Sequence, residues 1–171
     1  MKYTNGQIAL HWLSAVLIAV MAFTGLAYSN KWIDGVMVWH QIAGQVLIAV
    51  VVLRLLWKFR QPNGGIDPTR AHPAWERSLA KTVQIALYLT VIAMVATGYV
   101  AASGETDNAL LAPLGLSFAR SDTGEWLLEL HYQIKWVLLA LIGLHIAGAL
   151  KHALVDRDET LTLMTPSPRK E

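Results

Sequence analysis

Four long apolar blocks constrain the fold of this 171-residue chain more than any other feature. They occupy residues 8–28, 36–57, 79–102 and 126–150. An α-helix needs about 20 apolar residues to cross a hydrocarbon core of about 30 Å, and each block meets that length. Buried helices of soluble proteins are usually shorter and keep a polar face. The sequence therefore predicts an all-α, integral membrane four-helix bundle, one domain over residues 1–171 with a polar tail at 156–171.

Basic residues are concentrated on one side of this predicted bundle. They lie around the loop between the second and third blocks and after the fourth block: Arg54, Lys58, Arg60, Arg70, Arg77, Lys81, Lys151, Arg157, Arg169 and Lys170. The opposite loops carry Lys31 and Arg120 among five carboxylates. The positive-inside rule then places both termini in the cytoplasm of a multi-pass protein of the bacterial inner membrane. The basic charge thus faces lipid headgroups, and nucleic acid is not an expected partner.

Two further features of the sequence limit the chemistry. The first block is too long for the apolar region of a signal peptide and carries His11, so we expect it to remain as a membrane span. Cysteine is absent. Thiolate-ligated haem, iron–sulfur clusters and covalent haem attachment are therefore excluded, and a metal would be held by nitrogen or oxygen.

Four of the six histidines fall inside or at the edge of the apolar blocks: His11, His40, His131 and His145. Ionisable and metal-binding side chains are costly at membrane depth, so each is a candidate functional residue. On the fourth block, His131 and His145 are 14 residues apart. At a rise of about 1.5 Å per residue they differ in depth by ~21 Å and lie within ~40° of the same helix face.

The four histidines form two pairs of equal depth. The outer surface is marked by Asn30, Asp34 and Glu125. His40 and His131 each follow such a marker by six residues, which places both about 9 Å inward. His11 and His145 are 19 and 20 residues from their markers, which places both about 28–30 Å inward. The sequence predicts an outer pair, His40/His131, and an inner pair, His11/His145.

Each pair suits the two axial positions of a haem iron. Helix bundles build cofactor sites from side chains on facing helices. Two imidazoles fill both axial positions, which disfavours oxygen binding and favours electron transfer, and the surroundings tune the redox potential. Two stacked haems would form an electron path across the bilayer. Helix–helix hydrogen bonding is the plain structural alternative, and zinc or copper transport is another, although two ligands at each depth make a poor zinc site.

Other residues are candidates for secondary contacts. Lys135 lies one turn inward of His131, where it would either contact a haem propionate or extend toward the membrane surface. Arg54 would either contact a propionate of the inner haem or likewise extend toward the surface. His152 follows the fourth block and is a candidate contact for a haem propionate or a quinone headgroup, whereas we expect His72 to be solvated. Gly44, one turn beyond His40, either allows close helix packing or leaves room for a macrocycle. The apolar stretch 110–116 is expected to lie at the outer interface.

Several short motifs carry a resemblance to a known family. They are 9–13 (ALHWL), 39–44 (WHQIAG), 53–57 (LRLLW), His131, 143–145 (GLH) and 151–158 (KHALVDRD). As a set they make the chain similar to the bacterial cytochrome b561 family over nearly its whole length. The resemblance implies two non-covalent haem b groups, axial ligands at the four histidines above, and electron exchange with ubiquinone. The chain departs from the family at Lys81 and Gln84, where histidine is common, and at Lys135, where the family is usually apolar.

These observations lead to one expected function and three alternatives. The expected function is a di-haem b electron carrier that exchanges electrons with the quinone pool across the inner membrane, with a periplasmic protein as a candidate donor. A superoxide:ubiquinone oxidoreductase is the first alternative, since one family member is similar to a superoxide oxidase; the acidic outer loops weigh against it. The second is a haem-bearing membrane anchor of a periplasmic dehydrogenase or hydrogenase. The third is a membrane protein that binds a metal without redox chemistry.

Overall fold

The computed structural model describes residues 3–60, 72–105, 116–158 and 160–165. Within these ranges it contains four long α-helices and no strand: α1 Asn5–Ser29, α2 Met37–Arg60, α3 Ala74–Glu105 and α4 Asp122–Lys151. Each helix is long and apolar enough to cross a membrane. The predicted all-α membrane bundle is therefore confirmed.

The helices extend beyond the apolar blocks because backbone hydrogen bonding does not stop at the edge of the hydrocarbon. Helix α1 begins at a capping box, in which Thr4 Oγ1 accepts from the Gln7 backbone N–H at 3.3 Å and the Thr4 N–H donates to Gln7 Oε1 at 2.9 Å. Helix α3 begins five residues before its apolar block and includes the polar residues Glu76 and Arg77. The added turns lie at the ends of the spans.

The bundle is built from two helical hairpins. Helix α1 packs mainly against α2, and α3 against α4, while α2 and α3 join the hairpins. Helix α4 makes few direct contacts with α1 or α2. Large apolar side chains point outward along all four helices, as lipid-facing residues do, and the buried side chains are mostly small or branched. A gap is therefore left between α4 and the α1–α2 hairpin.

The described end of the chain folds back onto α1. A 3₁₀-helix at Thr162–Met164 buries Leu163, and the Trp12 indole N–H donates to the Met164 carbonyl at 2.7 Å. This part of the predicted polar tail is thus packed, and both described ends lie on the same side of the bundle. The linker 61–71 and the outer-loop stretch 106–115, which holds all of the predicted interfacial segment except Leu116, lie outside the described residues.

Candidate functional site

The outer histidines face each other across the gap between α2 and α4. The ring centroids of His40 and His131 are 6.2 Å apart, with the ring planes at 87°. Two imidazoles on opposite sides of one metal ion, each with a bond of about 2 Å, have centroids about 6 Å apart. Since α2 and α4 hardly touch, a flat group has room between these rings. The geometry fits one iron-centred macrocycle.

Hydrogen bonds fix the orientation of the His40 ring. Its Nδ1 lies 3.0 Å from the Met21 carbonyl oxygen and 3.1 Å from Thr24 Oγ1. The Thr24 hydroxyl donates to the Val20 carbonyl at 2.8 Å, so it accepts from the ring. Nδ1 therefore carries the proton, and the Nε2 lone pair is available to a metal.

The same arrangement recurs at His131. Thr97 Oγ1 lies 3.1 Å from His131 Nδ1 and donates to the Ala93 carbonyl at 2.7 Å. The backbone of Met94 also hydrogen-bonds this ring. Helix α1 thus orients the ligand candidate on α2, and α3 orients the one on α4.

A glycine follows each of these threonines because the histidine ring lies against the helix backbone. A Cβ at Gly25 would lie 3.2 Å from His40 Cε1, and one at Gly98 would lie 2.9 Å from His131 Cε1. The two Thr-Gly dipeptides were missed by sequence reasoning. Their repetition in the C-terminal part of α1 and of α3 was the available signal.

The space around the outer pair is a largely apolar, partly open cavity between the helices. Gly44 and Lys135 are among its lining residues. A Cβ at Gly44 would meet only the Met21 methyl group, at an ordinary 3.5 Å, so helix packing does not require glycine there. Lys135 Nζ lies 5.2 Å from the Tyr132 ring centroid and 5.3 Å from that of Trp136. Lys135 thus places a cation at the wall of the apolar cavity around His40 and His131.

The inner histidines face each other between α1 and α4 at a similar distance. The His11 and His145 centroids are 6.2 Å apart, with the ring planes at 61°. Arg54 of α2 points into the bundle beside them: Nη1 donates to Ser14 Oγ at 3.0 Å and Nη2 to the Tyr88 hydroxyl at 3.5 Å. Arg54 therefore does not snorkel outward. It brings a fixed positive charge close to the inner pair.

His152 and His72 meet each other rather than either pair. Their ring centroids are 4.7 Å apart, and both rings contact carboxylates at the end of α4. The expectation that His72 is solvated is wrong. Its side chain is only 14% exposed because Glu76 and Asp158 lie beside its two ring nitrogens.

The sequence matches the family model of the prokaryotic cytochrome b561 over residues 2–167, which includes all four helices and both histidine pairs. The chain belongs to this family. Membership in the cytochrome b561 family makes it a bacterial membrane protein of electron transfer and implies haem b binding. Lys81 and Gln84, where the chain departs from the family, are both exposed on α3 and take no part in either histidine pair.

Three curated relatives extend over nearly the whole chain. Cytochrome b561 homolog 2 of Escherichia coli K12 is 29% identical over 95% of this chain and 90% of its own length. Cytochrome b561 homolog 1 of the same strain is 25% identical over 96% and 97%. A protein of Yersinia pestis named probable superoxide oxidase CybB is 27% identical over 98% of both chains.

Proposed function

We propose that this cytochrome b561 is a di-haem b electron carrier of the inner membrane that exchanges electrons with ubiquinone. The observation that carries the proposal is the presence of two histidine pairs with the same 6.2 Å centroid separation, both including a residue of α4. The pairs lie ~21 Å apart along that helix. One haem would be held by His40 and His131, and the other by His11 and His145.

The residues of the chain bind and orient. His40 and His131 at the outer site, and His11 and His145 at the inner site, would each hold a haem iron from two sides. When bound, haem supplies reversible one-electron transfer. Arg54 and Lys135 each place a cation beside a pair, where a propionate carboxylate would be stabilised. Two protein ligands at each site would favour electron transfer over binding of oxygen.

The inner end of the bundle also offers donors to a quinone oxygen or a propionate. The buried Trp57 indole N–H has no hydrogen-bond partner among the described residues. Buried donors in native structures are normally satisfied, so an unpaired one calls for an acceptor. Lys58 Nζ lies 4.5 Å and Arg54 Cζ 5.7 Å from the Tyr88 ring centroid. We place the quinone headgroup at this end. His152 is a further candidate contact there through Nε2, the ring nitrogen that is not held by Asp158.

Superoxide oxidation is the second candidate function. The name of the Yersinia pestis relative supports it, since that protein aligns with this chain from end to end. Superoxide-dependent reduction of ubiquinone by the purified chain would favour it. No reduction by superoxide, together with reduction by a periplasmic protein, would favour the carrier.

The proposal is tested by alanine variants of the four candidate ligands. We expect His40→Ala and His131→Ala to lose the outer haem alone, and His11→Ala and His145→Ala the inner haem alone. His72→Ala is a matched control, because His72 belongs to neither pair. Haem per polypeptide is measured by pyridine haemochrome. The inner assignment fails if His145→Ala keeps both haems while His152→Ala loses one.

A further inference from the structure

A separate cluster of metal-binding side chains lies at the end of α4, away from both histidine pairs. It consists of His72, which precedes α3, and His152, Asp156 and Asp158, which follow α4. One nitrogen or oxygen atom from each lies within 4.8 Å of the other three. The four side chains are 14–25% exposed, so the cluster is largely shielded from solvent.

The backbone after α4 is shaped so that these residues converge. The helix widens into a π-helix at His152–Asp156, a feature often found at functional sites. Arg157 then takes a left-handed conformation, with φ of 52°, which is costly for a non-glycine residue. The Asp158 N–H donates to the His152 carbonyl at 3.2 Å. This reversal returns the Asp158 carboxylate to the side of His152.

The Asp158 carboxylate is held with one oxygen facing both rings. Oδ1 accepts from the Thr160 N–H at 2.8 Å. Oδ2 lies 2.8 Å from His152 Nδ1 and 2.9 Å from His72 Nε2. One carboxylate oxygen is therefore aimed at both imidazoles while the other is held by the backbone.

The cluster and its surroundings carry more negative than positive charge. Glu76 lies 3.3 Å from His72 Nδ1, and Lys151 Nζ contacts both Glu76 and Asp156, at 3.1 and 2.8 Å. With neutral imidazoles, three carboxylates and one ammonium leave a formal charge of −2. A neutral imidazole has one N–H, yet both nitrogens of His72 lie beside carboxylate oxygens. One divalent cation would satisfy both the charge and the second nitrogen.

We propose that His72, His152, Asp156 and Asp158 bind one divalent transition-metal ion of the Zn²⁺ type. Two imidazoles and two carboxylates would form a tetrahedral donor set, in which bonds of about 2.0–2.2 Å put neighbouring donor atoms about 3.3–3.6 Å apart. The contacts of 2.8–3.2 Å between these donor atoms are slightly shorter than that separation, and all four donor atoms lie within 4.8 Å of one another. Small side-chain movements therefore suffice.

The neighbouring residues support the metal-bound form. Glu76 is placed to accept from His72 Nδ1, the carboxylate–histidine–metal arrangement that fixes the tautomer and raises ligand basicity. Lys151 retains Glu76 as a partner when Asp156 turns to the ion. The ion would join the segment before α3 to the end of α4.

The test uses the haem-loaded full-length protein in detergent, without a polyhistidine tag. After dialysis against EDTA, zinc per chain is measured by equilibrium dialysis in a zinc–chelator buffer. We expect one Zn²⁺ per chain, and an affinity lower by more than about 10-fold in Asp158→Asn and in His72→Gln, since loss of a direct ligand costs at least as much as loss of an outer-shell partner. Asp34→Asn makes the same chemical change at the opposite end of the bundle and should bind zinc like the wild type.

Zinc X-ray absorption provides a second readout, with scattering from two imidazoles expected in the wild type. Haem absorbance and size-exclusion profiles verify that each variant is folded. The proposal is overturned if the wild type binds no more zinc than Asp158→Asn, or if bound zinc shows no imidazole scattering. The four residues would then form only an ion-paired clasp.

Discussion

Substitution of Gly98 by alanine tests how closely the outer site is built against the helix backbone. The new Cβ would lie 2.9 Å from His131 Cε1, whereas ordinary contacts begin near 3.4 Å. The ring must therefore withdraw by about 0.5 Å, close to a quarter of a metal–nitrogen bond of about 2 Å. Overpacking of this kind costs about 1–3 kcal/mol. We expect outer-haem affinity to fall by about 5- to 150-fold.

The matched control is Gly143→Ala, since a Cβ at Gly143 would meet nothing within 4 Å. Gly25→Ala should be intermediate, because its Cβ would lie 3.2 Å from His40 Cε1 and the ring needs to move only about 0.2 Å. The assay is haem per polypeptide after dilution in detergent, combined with low-temperature electron paramagnetic resonance of the oxidised haems. Equal haem content and identical spectra in Gly98→Ala and Gly143→Ala would refute the reasoning.

Three further substitutions probe other contacts. Thr24→Val removes the hydroxyl that accepts from His40 Nδ1. His40 then becomes a less basic ligand, so the reduction potential of the outer haem should rise by less than about 60 mV in a redox titration. A fall in this potential would contradict the prediction. Arg54→Gln removes a cation beside the inner pair. Because a nearby positive charge stabilises the reduced haem, the reduction potential of the inner haem alone should fall. A shift confined to the outer haem would contradict the placement of Arg54 beside the inner haem. Trp12→Phe removes the bond to Met164 and should speed proteolysis near the end of the described chain, whereas Trp126→Phe, an exposed residue on α4, should not.

The helices and the histidine pairing were accessible from sequence because both depend on distance along the membrane normal. Apolar length fixed the spans, and residue counts from polar markers brought His40 to the depth of His131 and His11 to that of His145. The structure brings the same pairs together. Their role as haem ligands stays a prediction, as does the cytoplasmic location of the termini.

The remaining features depend on how helices are rotated against each other and how loops return. Nothing in the spacing of Thr24 or Thr97 shows which face meets a histidine on the next helix. His72, which precedes α3, lies against His152 at the end of α4, and the left-handed turn at Arg157 returns Asp158 to the same place. Hydropathy gives no information on how a helix is rotated about its axis, and the contact between His72 and His152 lies in polar segments outside the spans.

The most direct test of the central claim is the haem content of the purified wild-type chain. Pyridine haemochrome analysis with a dithionite-reduced minus oxidised spectrum gives both stoichiometry and spin state. The proposal predicts about two non-covalent b haems per polypeptide, both low-spin, as two axial imidazoles require. A single haem per polypeptide would mean that one of the two histidine pairs does not bind haem. A chain without haem would contradict the electron-carrier function altogether.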